Sequence, residues 1–251
     1  MKIDLLTSKL KKNILSPFSY CLLSLRNKLP IESINIGKVS NPVVRQWAQN
    51  LGIGAFFSVS KLSEKIGPAI IKISDYKNFQ HFSEVFNGKS SISYYNRLCL
   101  KKGYSFISLS RNNYIDDIYD INTSATIRQG RRMSSSYSIK VENYPEEDNY
   151  KYYGVIDANG KLVAYADTVD LNEVIIIYKI LGHKDFLKDN IMYFLVYNVI
   201  KSIFEIHFNS NNRLKYLMYD SFFMNSEGLK FFKHRCGFKA YHIKWKTTED
   251  N

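Results

Sequence analysis

Hydrophobic positions alternate between residues 151 and 169, merge into an unbroken apolar run at 174–181, and take up a helical period after residue 190. The alternating part, KYYGVIDANGKLVAYADTV, has Asn159-Gly160 at its centre and predicts a β-hairpin, because that dipeptide supplies the positive φ such a turn needs. The run EVIIIYKIL predicts a central strand covered on both faces. After a polar turn at 182–190 come an apolar helix (IMYFLVYNVIKSIFE), a strand at 216–223, a helix capped by Ser226, and a strand at 239–245. Cys236-Gly237 closes the last helix with a residue suited to left-handed backbone. Upstream, the pattern predicts a strand at 69–73 and a helix capped by Asp75 that runs to Phe86 and stops at Asn87-Gly88. It then predicts a helix over 91–101 closed by Gly103, a strand at 104–109 and a helix at 114–121. Residues 1–65 are polar and broken by Pro17, Pro30 and Pro42, with a short helix expected at 43–51. The fold class is therefore α/β, a mixed and mostly antiparallel sheet flanked by helices. The expected division is an extension over 1–67 and a folded domain over 68–251.

Candidate chemistry concentrates in two places. The segment 122–137 has no hydrophobic period and carries Arg128, Gln129, Arg131 and Arg132. Arginine forks match phosphate and carboxylate oxygens, so Arg128 and Arg131, with Gln129, are expected to engage an anionic ligand. Salt bridges to Asp116, Asp117 or Asp120 are the structural alternative. Tyr137 either lines the same cleft or packs on a helix. The second place follows the apolar strand. His183 titrates ordinarily at about 6.5, which suits a general base; it serves equally as a loop cap or a phosphate contact. Asp185 fits a turn role. Asp220 faces a cleft in one register and turns away after a one-residue slip, with Tyr219 as the alternative donor. Backbone N–H groups at the start of the long helix favour an anionic ligand. No two histidines share metal-ligand spacing, so no metal is expected.

From about Tyr104 to Trp245 this order of elements resembles the GNAT superfamily of N-acyltransferases. The stretch SEGLKFFKHRCGF at 226–238 is similar to the family's C-terminal motif, where a helix ends in Gly-Phe beside the pantetheine arm of CoA. The stretch SSISYYNRLCLKKGYSFI at 90–107 also resembles Fem-like aminoacyltransferases, and 122–137 is similar to GNAT-like proteins associated with surface-polysaccharide genes. The resemblance implies acetyl-CoA or another acyl-CoA as co-substrate. Tyr178, Ile180, Leu181 and Gly182 would run along it, Lys184, Lys188 and Asn190 would meet its phosphates, and Phe232 its pantetheine. It implies a small amine acceptor, a nucleotide-linked amino-sugar first. Two departures stand out. The loop LGHKDFLKDNIM has one glycine where the family has a glycine-rich pyrophosphate loop, and Phe231 and Phe232 stand where the family often has a tyrosine acid. Two alternatives therefore stay open: a Fem-like transferase using aminoacyl-tRNA, and a non-catalytic binding module on the same scaffold.

Composition changes this picture in two ways. The 251 residues carry a formal charge of +12, a field that attracts anions such as CoA, nucleotide-sugars, tRNA or acidic membranes without choosing among them. No compact Lys/Arg tract or zinc-finger pattern appears, so nucleic acid other than tRNA is not indicated. Lys9, Lys11 and Lys12 precede the mildly apolar stretch 14–25, which Ser16, Pro17, Ser19 and Ser24 interrupt. This predicts a packed or membrane-surface helix in preference to a signal peptide. Cys21, Cys99 and Cys236 are odd in number and widely spaced, which argues against a disulfide framework. Reduced thiols and a cytoplasmic location are expected. No activated Ser or Cys is evident, so an amine would attack the acyl donor directly.

Overall fold

Strand-forming runs dominate the centre of the chain, and they assemble into one mixed sheet. A computed structural model describes residues 29–53, 66–86, 91–223 and 226–248. The basic stretch 9–12, the apolar stretch 14–25, Cys21 and the Asn87-Gly88 stop lie outside the described residues. The strands are β1 (Ile31–Lys38), β2 (Ile66–Lys72), β3 (Ser105–Ser108), β4 (Ile127–Arg128), β5 (Arg131–Arg132), β6 (Tyr150–Ile156), β7 (Leu162–Leu171), β8 (Val174–Gly182), β9 (Tyr216–Ser221) and β10 (Lys239–Thr248). The helices are α1 (Pro42–Asn50), α2 (Phe79–Val85), α3 (Ile92–Lys101), α4 (Ile115–Thr123), α5 (Ile191–Asn209) and α6 (Glu227–Arg235).

Eight strands form the main sheet in the order β1-β10-β2-β9-β8-β7-β6-β3. Two neighbouring pairs, β1 with β10 and β8 with β9, are parallel; the other neighbours are antiparallel. Strand β1 was not visible in the hydrophobic pattern. Its alternate residues Ile34 and Ile36 are fully buried against α1, whose N-cap Asn41 accepts from the N–H groups of Val43 and Val44.

One face of the sheet is covered by α5 with α2, α3 and α6. Ile175, Ile177, Phe194, Val199, Phe204 and Phe238 share that core. Helix α5 runs 19 residues and is long and apolar enough to cross a membrane by length and composition, and here it lies against the sheet with half of its apolar window buried. Helix α2 starts later than the pattern predicts. Asp75 closes a 3-10 turn, and Asn78 caps the helix by accepting from the His81 N–H. Gly237 ends α6 at φ 89°, and a Cβ there would meet the Phe82 ring at 2.9 Å.

The other face carries two separate apolar clusters. One lies under α1 and includes Val169, Ile176 and Met218; the other lies under α4 and includes Leu162, Tyr165 and Leu181. Side chains on one face of a strand recur every second residue. On β7 the same-face position between Tyr165 and Val169 is Asp167, whose partner on β6 is Tyr152 and on β8 is Lys179. A polar gap therefore separates the two clusters at the middle of the sheet.

Candidate functional site

Strands β8 and β9 pair only from Val174–Tyr216 to Ile176–Met218, yet β8 continues to Gly182 and β9 to Ser221. Beyond Ile176 the β9-facing edge of β8 has no ladder partner among the described residues. The separation begins at a bulge: Ile177 faces Thr168 and Lys179 faces Asp167, leaving Tyr178 as the extra residue. A bulge bends its strand and re-aims its side chains. Tyr178 is 40% exposed and meets Trp47 of α1 edge-on at 5.8 Å. A cavity of about 150 Å³ lies where the strands part, lined by Trp47, Asn50, Ile177, Tyr178, Met218 and Asp220.

The polar gap lies beside this opening. Asp167 is 3% exposed, and its Oδ1 has no hydrogen-bond partner among the described residues. Burial pushes its carboxyl up to about 6, with Lys179 and Arg111 pulling in the opposite direction. Burial likewise lowers the Lys179 ammonium, which lies over the rings of Tyr137 (4.9 Å) and Tyr165 (5.1 Å). The Arg111 guanidinium stacks on Tyr152 at 3.6 Å and Tyr144 at 4.5 Å, a favourable cation–π arrangement. Its Nη2 donates to Tyr152 Oη (2.8 Å) and Pro145 O (3.0 Å), while its buried Nε has no partner. A cavity of about 630 Å³ opens on the Arg111 and Tyr152 side of the gap, bordered also by Tyr144, Tyr150 and the acidic run Glu146, Glu147 and Asp148; Asp167 and Lys179 are not among its lining residues. The edge contact of Tyr150 with Tyr178 (5.8 Å) stands between the two cavities.

The residues singled out from sequence are distributed around this centre. Tyr178 lines the opening, Ile180 packs on the α5 side, and Leu181 is buried in the α4 cluster. Tyr137 packs on that same cluster beside Lys179. Asp220 lines the smaller cavity with a left-handed backbone (φ 49°), whereas Tyr219 is buried on the opposite face against Phe238. His183 caps the 3-10 segment Lys184–Asp189: its Nδ1 accepts from the Asp185 N–H at 3.3 Å, and its Nε2 lies 3.5 Å from Asp120. Arg128 donates to Gly182 O (2.7 Å), Ile121 O (2.7 Å) and Ser124 Oγ (2.9 Å). It therefore clamps the hairpin β4–β5 to the end of β8. The aspartates near it pair elsewhere, Asp116 with Lys140 and Asp120 with Lys161. Gln129 and Gly130 form that hairpin's turn with positive φ (51° and 75°), and Arg131 is exposed on its far strand.

No family model and no curated protein sequence matches the chain. Among solved structures, FemX superimposes with a TM-score of 0.51 at 11% identity, covering 70% of this chain and 59% of its own. The chain has a GNAT-like fold. A GCN5-related N-acetyltransferase from Kribbella flavida aligns over 70% of this chain and 54% of its own (TM-score 0.42, 10% identity). L-PGS from Bacillus licheniformis aligns over 71% and 61% (TM-score 0.41, 14% identity). The chain thus spans less than two thirds of the length of each of these structures.

In this GNAT-like frame the start of α5 is the place to test for a CoA pyrophosphate, and the residues there do not fit one well. The Lys184 N–H donates to Ser124 Oγ, the Asp185 N–H to His183, the Phe186 N–H to His183 O and the Asn190 N–H to Leu187 O. The Asp189 carboxylate sits at the helix start, held by Lys102 (2.5 Å) and Tyr104 (2.7 Å), which keep it ionised below the usual carboxylate range. Asn190 enters the helix with φ 65°. Between α5 and α6, Tyr193 and Phe232 are in ring contact at 4.7 Å. A Cβ at Gly182 would meet Met192 Sδ at 2.5 Å, so this glycine serves the packing of the turn. Lys184 and Lys188 belong to the 3-10 segment as basic flanks.

The sequence reading passed over Arg111, Asp167, Lys179, Trp47 and Lys233. A signal was present for two of them: Asp167, at the centre of the buried strand LVAYADTVDL, and Lys179, the one charge in VIIIYKILG, stand inside buried strands. Lys233 is fully buried on α6, donates to Ser221 O (2.7 Å) and stands 4.3 Å from the Tyr219 ring, so it pins the end of β9 at the opening.

Proposed function

We propose that this protein transfers an acyl group to an amine in the opening between β8 and β9. The observation that carries the reading is the unpartnered, buried Asp167 carboxylate beside the point where the parallel strands part. Asp167 takes a proton from the acceptor's ammonium. The free amine then attacks the carbonyl carbon of an activated acyl ester, forming the C–N bond as the bond to the leaving group breaks, and the proton shed by the new amide nitrogen goes to the departing oxygen or sulfur. The unladdered N–H groups of β8 beyond Ile176 are oriented dipoles of the kind that stabilise the oxyanion. Arg111 and Lys179 supply the counter-charge for an anionic group on the acceptor. Neither described cysteine is a nucleophile: burial pushes the Cys99 thiol up to about 11 and raises Cys236 well above its ordinary value.

Acyl-CoA is the donor class first expected for a GNAT-like fold. A second donor, an aminoacyl-tRNA, is favoured by the Asp189 carboxylate at the start of α5, because its ester needs no pyrophosphate at that position. The +12 charge suits it as well. The test is calorimetric titration with acetyl-CoA, with CoA and with aminoacyl-tRNA at two salt concentrations, followed by transfer of labelled acyl or aminoacyl groups to a pool of amines. Transfer from either donor that falls at least 100-fold in Asp167→Asn supports the reading. Affinity for tRNA should fall steeply with salt as counterions are released. Absence of transfer from both donors overturns it.

A further inference from the structure

Three buried side-chain polar atoms among the described residues have no partner: Arg128 Nε at the hairpin clamp, and two orphans of opposite character at the polar gap. Arg111 Nε is a donor without an acceptor, and Asp167 Oδ1 is an acceptor without a donor. Each such atom in a native structure calls for an explanation, because leaving it unmet is costly. The two at the gap belong to one place. Tyr152 accepts from Arg111 at 2.8 Å and is the register partner of Asp167 on the adjoining strand. Arg111 also acts electrostatically on Asp167.

Charge decides which ligand meets both orphans. A simple amine would satisfy Asp167 but add a third cation beside Lys179 and Arg111. A simple anion would satisfy Arg111 but leave the Asp167 oxygen unmet, and it would enter past Glu146, Glu147 and Asp148 on the cavity border. A zwitterion satisfies both and leaves the net charge unchanged. We infer that this gap binds an α-amino-acid group, with its carboxylate on Arg111 and Lys179 and its ammonium on Asp167. The inference rests on the reading of the protein as an amine acyltransferase and names its acceptor class. The cavity of about 630 Å³ reaches the gap at Arg111 and Tyr152, so the ligand's charged end passes beyond its lining to Asp167 and Lys179, and the group is either free or the end of a longer molecule that occupies the tyrosine-lined cavity.

Calorimetry on the purified chain distinguishes these sources without any acyl donor. The probes are the free amino acids and γ-glutamyl dipeptides, which keep the α-ammonium and α-carboxylate at one end. For the tightest probe, the decarboxylated amine and the deaminated acid are titrated alongside. Both one-charge analogues should bind at least 10-fold more weakly. Asp167→Asn, checked for fold by circular dichroism, should lose the preference over the deaminated acid. The analogue comparison on the unmodified chain stands even if a variant misfolds. Equal binding of amine and zwitterion, or no binding by any probe, overturns the inference. Zwitterion binding with no acyl transfer from either donor would instead defeat the transferase reading alone.

Discussion

Asp167 has apolar neighbours on its own strand, and burial sets its chemistry. An unfolded aspartate titrates near ~3.9, whereas burial raises this one to about 6. The folded protein therefore holds an extra proton between these values. The stability that this proton contributes is lost as pH rises through the folded pKa. Against Asp167→Asn, the unmodified chain should lose about 2–3 kcal/mol of stability between pH 4 and pH 8, measured by urea unfolding at each pH. A flat difference would show that the carboxyl titrates normally. Activity should run the opposite way, rising with an acid limb near 6 that the variant lacks. Single residues were legible where their signal was local. Ser226, Gly237 and Asn159-Gly160 occupy the cap, helix-end and turn positions that their chemistry requires. His183 was legible as a titratable loop residue, but its Nδ1 is taken by the turn it caps. Asp167 was visible as a charge in a buried strand, but its role was not, because that comes from partners on the two adjoining strands, which spacing along one strand does not reveal.

Among the elements, the hairpin β4–β5 depends on one side chain. Each of its strands has two residues, too few for a hydrophobic period, so the sequence showed a loop. Arg128 compensates by bridging Gly182 O, Ile121 O and Ser124 Oγ. Arg128→Ala would leave buried carbonyls without their donor and cost about 2–4 kcal/mol. It should also speed amide exchange across 124–138 more than in α5. Uniform exchange would show that the hairpin is held by other contacts. Strand β1 escaped notice for a related reason: its alternation is interrupted by polar residues, and its burial comes from α1 and β10, distant in sequence. The strands β7 and β8 were legible because each is buried along most of its length, and α5 because its buried residues recur at helical spacing.

For the whole molecule, the order of elements disclosed the sheet and its flanking helices, while the site arose from a discontinuity in packing. One face has a continuous core around α5, and the other has two clusters with charged residues between them. Such a gap forms only after both clusters assemble, so no window of sequence contains it. The parallel pairing of β1 with β10 joins Ile31 to His242 and Asn35 to Lys246. On the ribosome, β1 is made early and must wait for nearly the entire chain before its hydrogen-bond partner exists. Loop closure over such a span is slow relative to local helix formation. Ribosome-stalled chains ending before residue 239 should therefore leave β1 open to protease, and chains extended beyond β10 should protect it. Synthesis itself thus delays completion of the sheet.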